Sequence, residues 1–255
     1  MSKYMTNAEA KLFYEGRVFP TTKFGDITIV NYRERRSIDV IFNRTNVIRT
    51  CTLGQVLTGK LRDRTQASVY GVGILGEHFT KSNGKFTREY ELWSGMLERC
   101  YNSEEKFKRY EGCSVSELFK NYTLFSEWSF KQIGFYQEGW HLDKDILVRG
   151  NKVYSEDTCC FVPVQINSLL NNNRAKRGVL PIGVSKNPKR KTYKSRCSID
   201  GDLVYLGDYL TIDEAFQAYK IARESYVKEV ADKWKDQIDP RVYEALMNWE
   251  VNIND

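Results

Sequence analysis

The stretch HLDKDILVRGN, residues 141 to 151, places a histidine and three charged side chains within five positions, directly ahead of an apolar run. The apolar residues 146–148, which are Ile, Leu and Val, predict a strand. The charged residues Asp143, Lys144 and Asp145 come directly before it. A solvated turn and a metal or phosphate site are both consistent with this pattern.

The residues that follow have the order that a metal site needs, and a salt-bridged pair of Asp143 and Asp145 around Lys144 is the alternative interpretation. KVYSEDTCCFVPVQINSLLNN (152–172) predicts a strand from Cys159 to Val162, a helix start near Pro163 and a short helix that carries Asn167. A hairpin followed by a helix can bring carboxylates at a strand end opposite an amide, which is an arrangement that binds a divalent metal. Strand alternation predicts that His141 and both aspartates share a face and that Lys144 lies opposite.

Three segments are predicted along the chain, and together they make an α+β protein. Residues 1–76 form a small β-rich domain, in which DITIVNY (26–32) and SIDVIF (37–42) make a hairpin and SVYGVGILG (68–76) is a strand and turn. Residues 77–172 hold the hairpin–helix core together with amphipathic helices in EYELWSGMLERCY and VSELFKNYTLFSEW, whose aromatic stripes are core residues. Residues 173–255 form a three-stranded sheet and a helix.

The third segment concentrates positive charge. Between residues 173 and 201 nine cations stand against one acid, Asp200, and the cations are Arg174, Lys176, Arg177, Lys186, Lys189, Arg190, Lys191, Lys194 and Arg196. In YKSRCSI, alternation turns Lys194, Arg196 and Ser198 toward solvent and the residues between them toward the helix. A cationic sheet face of this kind favours nucleic acid over an ordinary solvated surface. Thr211 and Glu214 have the spacing of a capping box at the start of the following helix.

Composition sets limits on the class of protein. The chain has 255 residues, a net charge of +6 and 41% hydrophobic residues, which is enough to form a core. It contains no apolar run long enough to span a membrane and no signal peptide, so we expect a soluble protein of the cytoplasm. Its six cysteines include no C-x-x-C pair and suit buried thiols in a reducing compartment, and a structural zinc site from Cys100, Cys113 and the Cys159–Cys160 pair is the less favoured alternative.

The basic segment resembles the ethylene-response-factor type of DNA-binding domain, over about fifty residues. The resemblance rests on IGVSKN, YKSRCSI and VYLGDYLTIDEAFQAYKIA. It implies three strands packed on one helix, with double-stranded DNA bound by the exposed side chains of the sheet. The implied contacts are Ser185, Asn187, Lys194, Arg196, Ser198 and Tyr205, and we add the neighbouring cations Lys189 and Arg190.

The central segment resembles the ββα-metal core of HNH endonucleases, especially the homing enzymes of introns and phages. DTCCFVPVQIN (157–167) overlays the second strand and the helix of that core, and Asn167 falls on its final asparagine. The first motif, usually Asp-His, falls on Asp143 and Lys144. The middle asparagine falls on Thr158, with Asn151 nearby as a substitute. With WSGMLERCYN, YEGCSV and LDKDILVRGNKVYS, the wider resemblance covers roughly residues 15 to 235.

These resemblances imply a phage-encoded, magnesium-dependent DNA endonuclease of the homing or nicking kind. Asp143 and Asn167 would hold the metal, with Asp145 in its first or second coordination shell. A lysine is ordinarily protonated at neutral pH, so Lys144 cannot be a base unless burial removes that proton, but in its charged form it can stabilise phosphate charge. His141 can take the base role. The alternative is a catalytically inactive DNA-binding protein, a regulator or a counter-defence factor, on the same scaffold.

Overall fold

The computed structural model describes residues 5–170 and 179–253, which form a mixed α+β protein with several small sheets. The expected α+β class is therefore confirmed. The chain forms two compact units. Unit 1 runs to Arg109 and includes Glu117–Ser126, and unit 2 comprises Tyr110–Ser116 and the chain from Glu127 onward. The expected boundaries after residues 76 and 172 remain predictions.

A four-stranded antiparallel sheet of order β1-β2-β3-β4 forms the core of unit 1. Its strands are β1 (Val18–Pro20), β2 (Asp26–Glu34), β3 (Ser37–Phe42) and β4 (Ile48–Cys51). β2 and β3 are the predicted hairpin. Alternate apolar residues of these two strands, such as Ile29 and Val40, are fully buried against α1 (Asn7–Tyr14) and α2 (Leu53–Leu57). Each helix begins with a capping box, because its N-cap threonine, Thr6 or Thr52, stands three residues ahead of a Glu or Gln.

The remaining elements of unit 1 are short strands and helices. They are β5 (Ala67–Val69), β6 (Gly73–Ile74), β7 (Lys81–Ser82), β8 (Lys85–Phe86), α3 (Arg88–Tyr101), a 3-10 helix (Glu105–Tyr110), α4 (Glu117–Lys120) and α5 (Tyr122–Ser129). The 3-10 helix and α5 extend beyond unit 1, because Tyr110 and the residues from Glu127 onward belong to unit 2. The single helix expected over VSELFKNYTLFSEW is in fact two. The Asn121 side chain accepts the N–H groups of Thr123 and Leu124, so it caps a new helix instead of continuing the first.

Among its described residues, unit 2 contains three small sheets and three complete α-helices. Its elements in chain order are β9 (Ser114–Val115), β10 (Trp140–Asp143), β11 (Val153–Tyr154), β12 (Cys160–Pro163), α6 (Val164–Leu169), β13 (Val184–Lys186), β14 (Tyr193–Ile199), β15 (Asp202–Tyr209), α7 (Ile212–Trp234) and α8 (Pro240–Met247). β9 pairs with β11 in parallel, β10 pairs with β12 antiparallel, and β13, β14 and β15 form an antiparallel sheet in that order.

The three-stranded sheet of unit 2 packs on α7. Thr211 and Glu214 form the predicted capping box, and Ala215, Phe216 and Tyr219 are buried against the sheet. Contact is close at Gly183, which has φ +78°, because a Cβ there would lie 2.0 Å from Cδ2 of Tyr219. Glycine at this position therefore allows the first strand to approach the helix.

The six cysteines fall into two groups by burial. Cys51, Cys159, Cys160 and Cys197 are buried as expected, whereas Cys100 and Cys113 are only partly buried. Burial raises the pKa of Cys159 to about 12 and also raises that of Cys160, so neither thiol is a nucleophile at neutral pH. In residues 5–170 and 179–253, no helix has the length and apolar character needed to cross a membrane.

Candidate metal centre and nucleic-acid interface

The β10–β12 hairpin followed by α6 has the ββα order predicted from the sequence. His141 lies opposite Val162 in the hairpin, and Asp143 lies opposite Cys160. The chain passes directly from β12 into α6 through Pro163, which is the N-cap. The structure brings His141 and Asn167 together, because Nδ2 of Asn167 is 3.1 Å from Nδ1 of His141.

The aspartate at the end of β10 closes a turn. Oδ1 of Asp143 accepts the backbone N–H of Asp145 at 2.7 Å and that of Ile146 at 2.8 Å. Burial raises the pKa of the Asp143 carboxyl above its ordinary value, and these two hydrogen bonds oppose the rise. The strand ends at Asp143. The sequence predicted an apolar strand beyond this point, with Asp145 on the same face as His141. That prediction is wrong, because the Asp143 side chain diverts the backbone into a turn.

Lys144 occupies the position where the resemblance expects a histidine, and it is only 7% exposed. Its Nζ donates to Oδ1 of Asp145 at 2.5 Å and to the backbone carbonyl of Asn151 at 2.8 Å. It also lies 5.6 Å from the ring centroid of Tyr154. The ammonium group therefore ties the two ends of the 144–151 loop together.

Asn151 and Thr158, the two candidates for the middle motif asparagine, also hold local backbone. Nδ2 of Asn151 donates to the carbonyls of Lys144 and Val153, and its Oδ1 accepts the N–H of Val153. Oγ1 of Thr158 donates to the same Val153 carbonyl at 2.9 Å. The site residues predicted from the sequence thus divide into a loop network around Lys144 and a separate His141–Asn167 pair.

Ligand types suited to a hard divalent cation are present, although they do not form a cluster of acids. Within the described ranges, no three His, Cys, Asp or Glu side chains group as a metal site. Asp143 uses part of its acceptor capacity on two N–H groups, and a carboxylate has about four lone-pair sites. Carboxylate and amide oxygens are the donors that magnesium prefers. The side chains of Asp143 and Asn167 therefore have the chemistry for this ion.

Helix α7 contacts both the hairpin–helix core and the basic sheet. Nε1 of Trp234, at its last residue, donates to Oε1 of Gln165 on α6 at 2.8 Å, and the Trp234 ring packs edge-on against Trp140 of β10. Nearer the middle of α7, the Arg223 guanidinium donates to the carbonyls of Leu169 and Ser198. The two regions singled out by the sequence are thus joined within unit 2. Sequence reasoning missed these contacts because their partners lie far apart in the chain.

The three-stranded sheet presents one polar face. Ser195 and Cys197 of β14 are buried, whereas Arg196 and Ser198 are exposed and Lys194 is partly exposed. Across the strands, Lys194 pairs with Ser185 and Arg196 pairs with Tyr205, so these residues lie side by side. The alternation has the phase that the sequence indicated. We call Ser185, Lys194, Arg196, Ser198 and Tyr205 the sheet face.

An acid that the sequence analysis did not single out lies beside this face. Asp208 pairs with Lys194 in the register and accepts hydrogen bonds from Nδ2 of Asn187 at 3.2 and 3.3 Å. Arg190 lies 4.0 Å from the same carboxylate. Partial loss of water and a hydrogen bond to Asp208 raise the pKa of Tyr205. The sequence offered one signal that could have identified Asp208, namely that an acid of β15 is placed opposite the basic strand β14.

The loop between β13 and β14 is held by Asn187, which is 6% exposed. Its Oδ1 accepts the backbone N–H of Lys189 at 3.1 Å while its amide nitrogen binds Asp208. This arrangement fixes the loop that carries Lys189 and Arg190. Three further cations of the predicted basic segment, Arg174, Lys176 and Arg177, lie outside the described residues.

Comparisons with protein families, with curated proteins and with solved structures found no match for this chain.

Replacing Lys144 tests whether its amine is structural. We expect Lys144→Ala to lower the free energy of unfolding by about 1–3 kcal/mol, because the Asn151 carbonyl and the 144–151 loop lose a buried charged donor. Urea unfolding measures the change. Lys228→Ala, at an exposed position of α7, is the matched control and should change stability by less than about 0.5 kcal/mol. Equal stability of the two variants would contradict the structural role.

Proposed function

We propose that the protein binds double-stranded DNA through the sheet face of unit 2. The observation that carries the proposal is the alternation of β14, which buries Ser195 and Cys197 and leaves Lys194, Arg196 and Ser198 facing outward. Two long cationic side chains lie there beside the hydroxyls of Ser198 and of Ser185, which is across the strand from Lys194. Such a face can contact phosphates and base edges at once. The resemblance to the ethylene-response-factor type of domain supports the same surface.

The dimensions of the sheet favour a duplex. Adjacent strands lie roughly 4.8 Å apart, so three strands are about 10 Å across, and the major groove of B-form DNA is about 12 Å wide. The major groove of A-form RNA is too narrow for a sheet to enter. Arg196 has the geometry to bind guanine bidentately, and Lys194 and Ser198 can bind phosphates.

The residues around Asp208 are proposed to shape the reading surface. Both polar atoms of the Asn187 side chain are already bonded, to Asp208 and to the backbone of Lys189, so Asn187 positions the loop instead of reading a base. Arg190, which is mostly exposed and only 4.0 Å from Asp208, can turn from that carboxylate to a DNA phosphate. Lys189 extends the same cationic edge.

A binding measurement with a charge-matched control tests this proposal. We expect Lys194→Gln/Arg196→Gln to bind a short DNA duplex about tenfold or more weakly and to reduce the slope of log K against log salt by about 0.9, because Lys194 accounts for one lost phosphate contact and Arg196 binds a base edge. Fluorescence anisotropy over a range of salt concentrations gives both quantities.

The control is Lys228→Gln/Lys235→Gln, which removes the same charge from two exposed positions, one on α7 and one directly after its last residue. Its affinity and salt slope should stay close to those of the unchanged protein. A sheet-face variant that behaves like this control would refute the proposal. Stronger binding of duplex RNA than of duplex DNA would also count against it.

A second candidate function is metal-dependent cleavage or nicking of DNA by the hairpin–helix core. It is favoured by the 3.1 Å approach of His141 and Asn167 across the ββα arrangement, and by the resemblance to phage homing enzymes. Asp143 and Asn167 would hold magnesium, with Asp145 nearby. The ion would stabilise negative charge on the phosphate and on the leaving oxygen.

The histidine can act as a base only in one arrangement of the pair. With Nδ2 of Asn167 donating, Nδ1 of His141 must accept, so the neutral ring carries its proton on Nε2 and cannot accept another there. Turning the amide to present Oδ1 reverses these roles, and Nε2 then becomes a proton acceptor. Lys144 contributes through the shape of the loop, since its amine is bound to Asp145 and Asn151.

A plasmid-nicking assay with Asp143→Asn tests this second candidate. The asparagine keeps an oxygen that accepts the N–H groups of Asp145 and Ile146, so the turn should survive while the negative charge that attracts the cation is lost. With magnesium, we expect nicking by the unchanged protein and by Asp157→Asn, an exposed acid in the same unit. We expect at least tenfold less nicking by Asp143→Asn and by His141→Ala.

The assay has a decisive negative result. If supercoiled plasmid stays intact with magnesium and with manganese while DNA binding is normal, the core does not cut, and the DNA-binding function alone stands. If Asp143→Asn cuts as fast as the unchanged protein, Asp143 does not hold the ion.

A further inference from the structure

Unit 1 has its own concentration of positive charge at one end of its four-stranded sheet. Residues 1–76 contain twelve Lys and Arg against six Asp and Glu. Three segments meet at that end: residues 21–25 between β1 and β2, residues 43–49 from the β3–β4 loop into β4, and residues 59–66 after α2. We call these segments the loop rim. They carry six cations and one acid, namely Lys23, Arg44, Arg49, Lys60, Arg62, Arg64 and Asp63.

Asp63 fastens the three segments into one surface. Its carboxylate is 1% exposed and accepts hydrogen bonds from Thr45 at 2.5 Å, from Thr65 at 2.7 Å and from Gln66 at 2.8 Å. The Gln66 amide also reaches the carbonyl of Phe24 in the first segment. Burial raises the pKa of Asp63, but these bonds outweigh it and leave the pKa below its ordinary value. The carboxylate is thus ionised and saturated by neutral donors.

The cations of the rim are not matched to carboxylates. Arg49 donates to the carbonyl of Arg62 at 2.5 Å, and Arg64 donates to the carbonyl of Gly76 at 2.6 Å. Burial lowers the pKa of Arg64, and repulsion from Arg49 and Arg62 lowers it further. The attraction of Glu77 raises this pKa but does not cancel the other effects. Among the described residues, none of the six rim cations forms an ion pair with an acid.

The opposite end of the same sheet is different. At the β2–β3 turn, Arg33 binds Asp39 through two hydrogen bonds of 2.7 and 2.6 Å. Those bonds, with one from Thr50, lower the pKa of Asp39 to about 2. At this turn Arg33 is matched to an acid, whereas none of the six rim cations is matched to one in the part of the chain that the structure describes.

We propose that the loop rim of unit 1 binds the phosphate backbone of double-stranded DNA. Lys23, Arg44, Lys60 and Arg62 are exposed on three separate segments, which suits an extended polyanion better than a single small anion in a pocket. Arginine binds phosphate through two parallel N–H groups, and fixed loops reduce the entropy lost on binding. Contacts of the rim with phosphates would fix the position of the protein along the duplex and add affinity, but they would not distinguish one base sequence from another. This inference concerns unit 1 alone and does not depend on the sheet face.

The test uses the full chain and three exposed positions of the rim. We expect Arg44→Gln/Lys60→Gln/Arg62→Gln to bind a short DNA duplex about tenfold or more weakly and to lower the salt slope by about 2.7, at about 0.9 for each phosphate contact. The matched control, Lys11→Gln/Arg35→Gln/Arg36→Gln, removes the same charge from exposed positions outside the rim and should leave both quantities nearly unchanged. Circular dichroism of both variants checks that the fold is retained.

The outcomes separate this inference from the proposed function. If the rim triple variant behaves like its control, the rim does not contact DNA and the inference fails, whatever the sheet-face variant does. If the rim variant loses affinity while Lys194→Gln/Arg196→Gln does not, the inference stands and the proposed function fails. If the rim variant weakens binding of duplex RNA alone, the partner class is wrong and the inference is overturned.

Discussion

The packing of the three-stranded sheet on α7 is the contact on which the functional account depends. Tyr219 lies so close to β13 that residue 183 has no room for a Cβ, and Ala215 and Phe216 complete a flat, fully buried helix surface. Once Ser195 and Cys197 face that surface, Lys194, Arg196 and Ser198 must face outward, because side chains alternate along a strand. A shift of one residue in β14 would bury two cations, so the register is strongly determined.

The same helix relates this sheet to the hairpin–helix core within unit 2. Trp234 contacts Trp140 and Gln165, and Arg223 contacts the end of α6 and the edge of β14. DNA held on the sheet face would therefore lie on the same compact unit that carries His141 and Asn167. This continuity gives the two proposals a common structural basis, although each is tested separately.

Much of this fold is predictable from local sequence patterns, and the rest is not for identifiable reasons. The hairpin of β2 and β3, helix α3, the short helix after Pro163 and the capped helix α7 all follow from periodicity or capping residues. The turn after Asp143 does not, because its formation depends on one side chain outcompeting a strand ladder for backbone N–H groups. The break at Asn121 has the same cause.

The candidate site shows the same division. The sequence correctly placed His141 on a strand and Asn167 on the following helix, and the structure brings their side chains together. The chemical role assigned to Lys144 stays a prediction, and the burial of its amine and the hydrogen bond to the Asn151 carbonyl are tertiary contacts that the sequence does not show. Asp208 was missed because its importance comes from cross-strand pairing, which one strand read alone does not show.

Lysine-selective chemical labelling of the full chain, with and without a DNA duplex and read by mass spectrometry, tests the central claim most directly. We expect DNA to protect Lys194 of the sheet face and Lys189 of the adjoining loop from labelling by severalfold, while Lys228, exposed on α7, is labelled equally in both conditions. Labelling of Lys194 and Lys189 that is unchanged by saturating DNA would contradict the proposed binding surface.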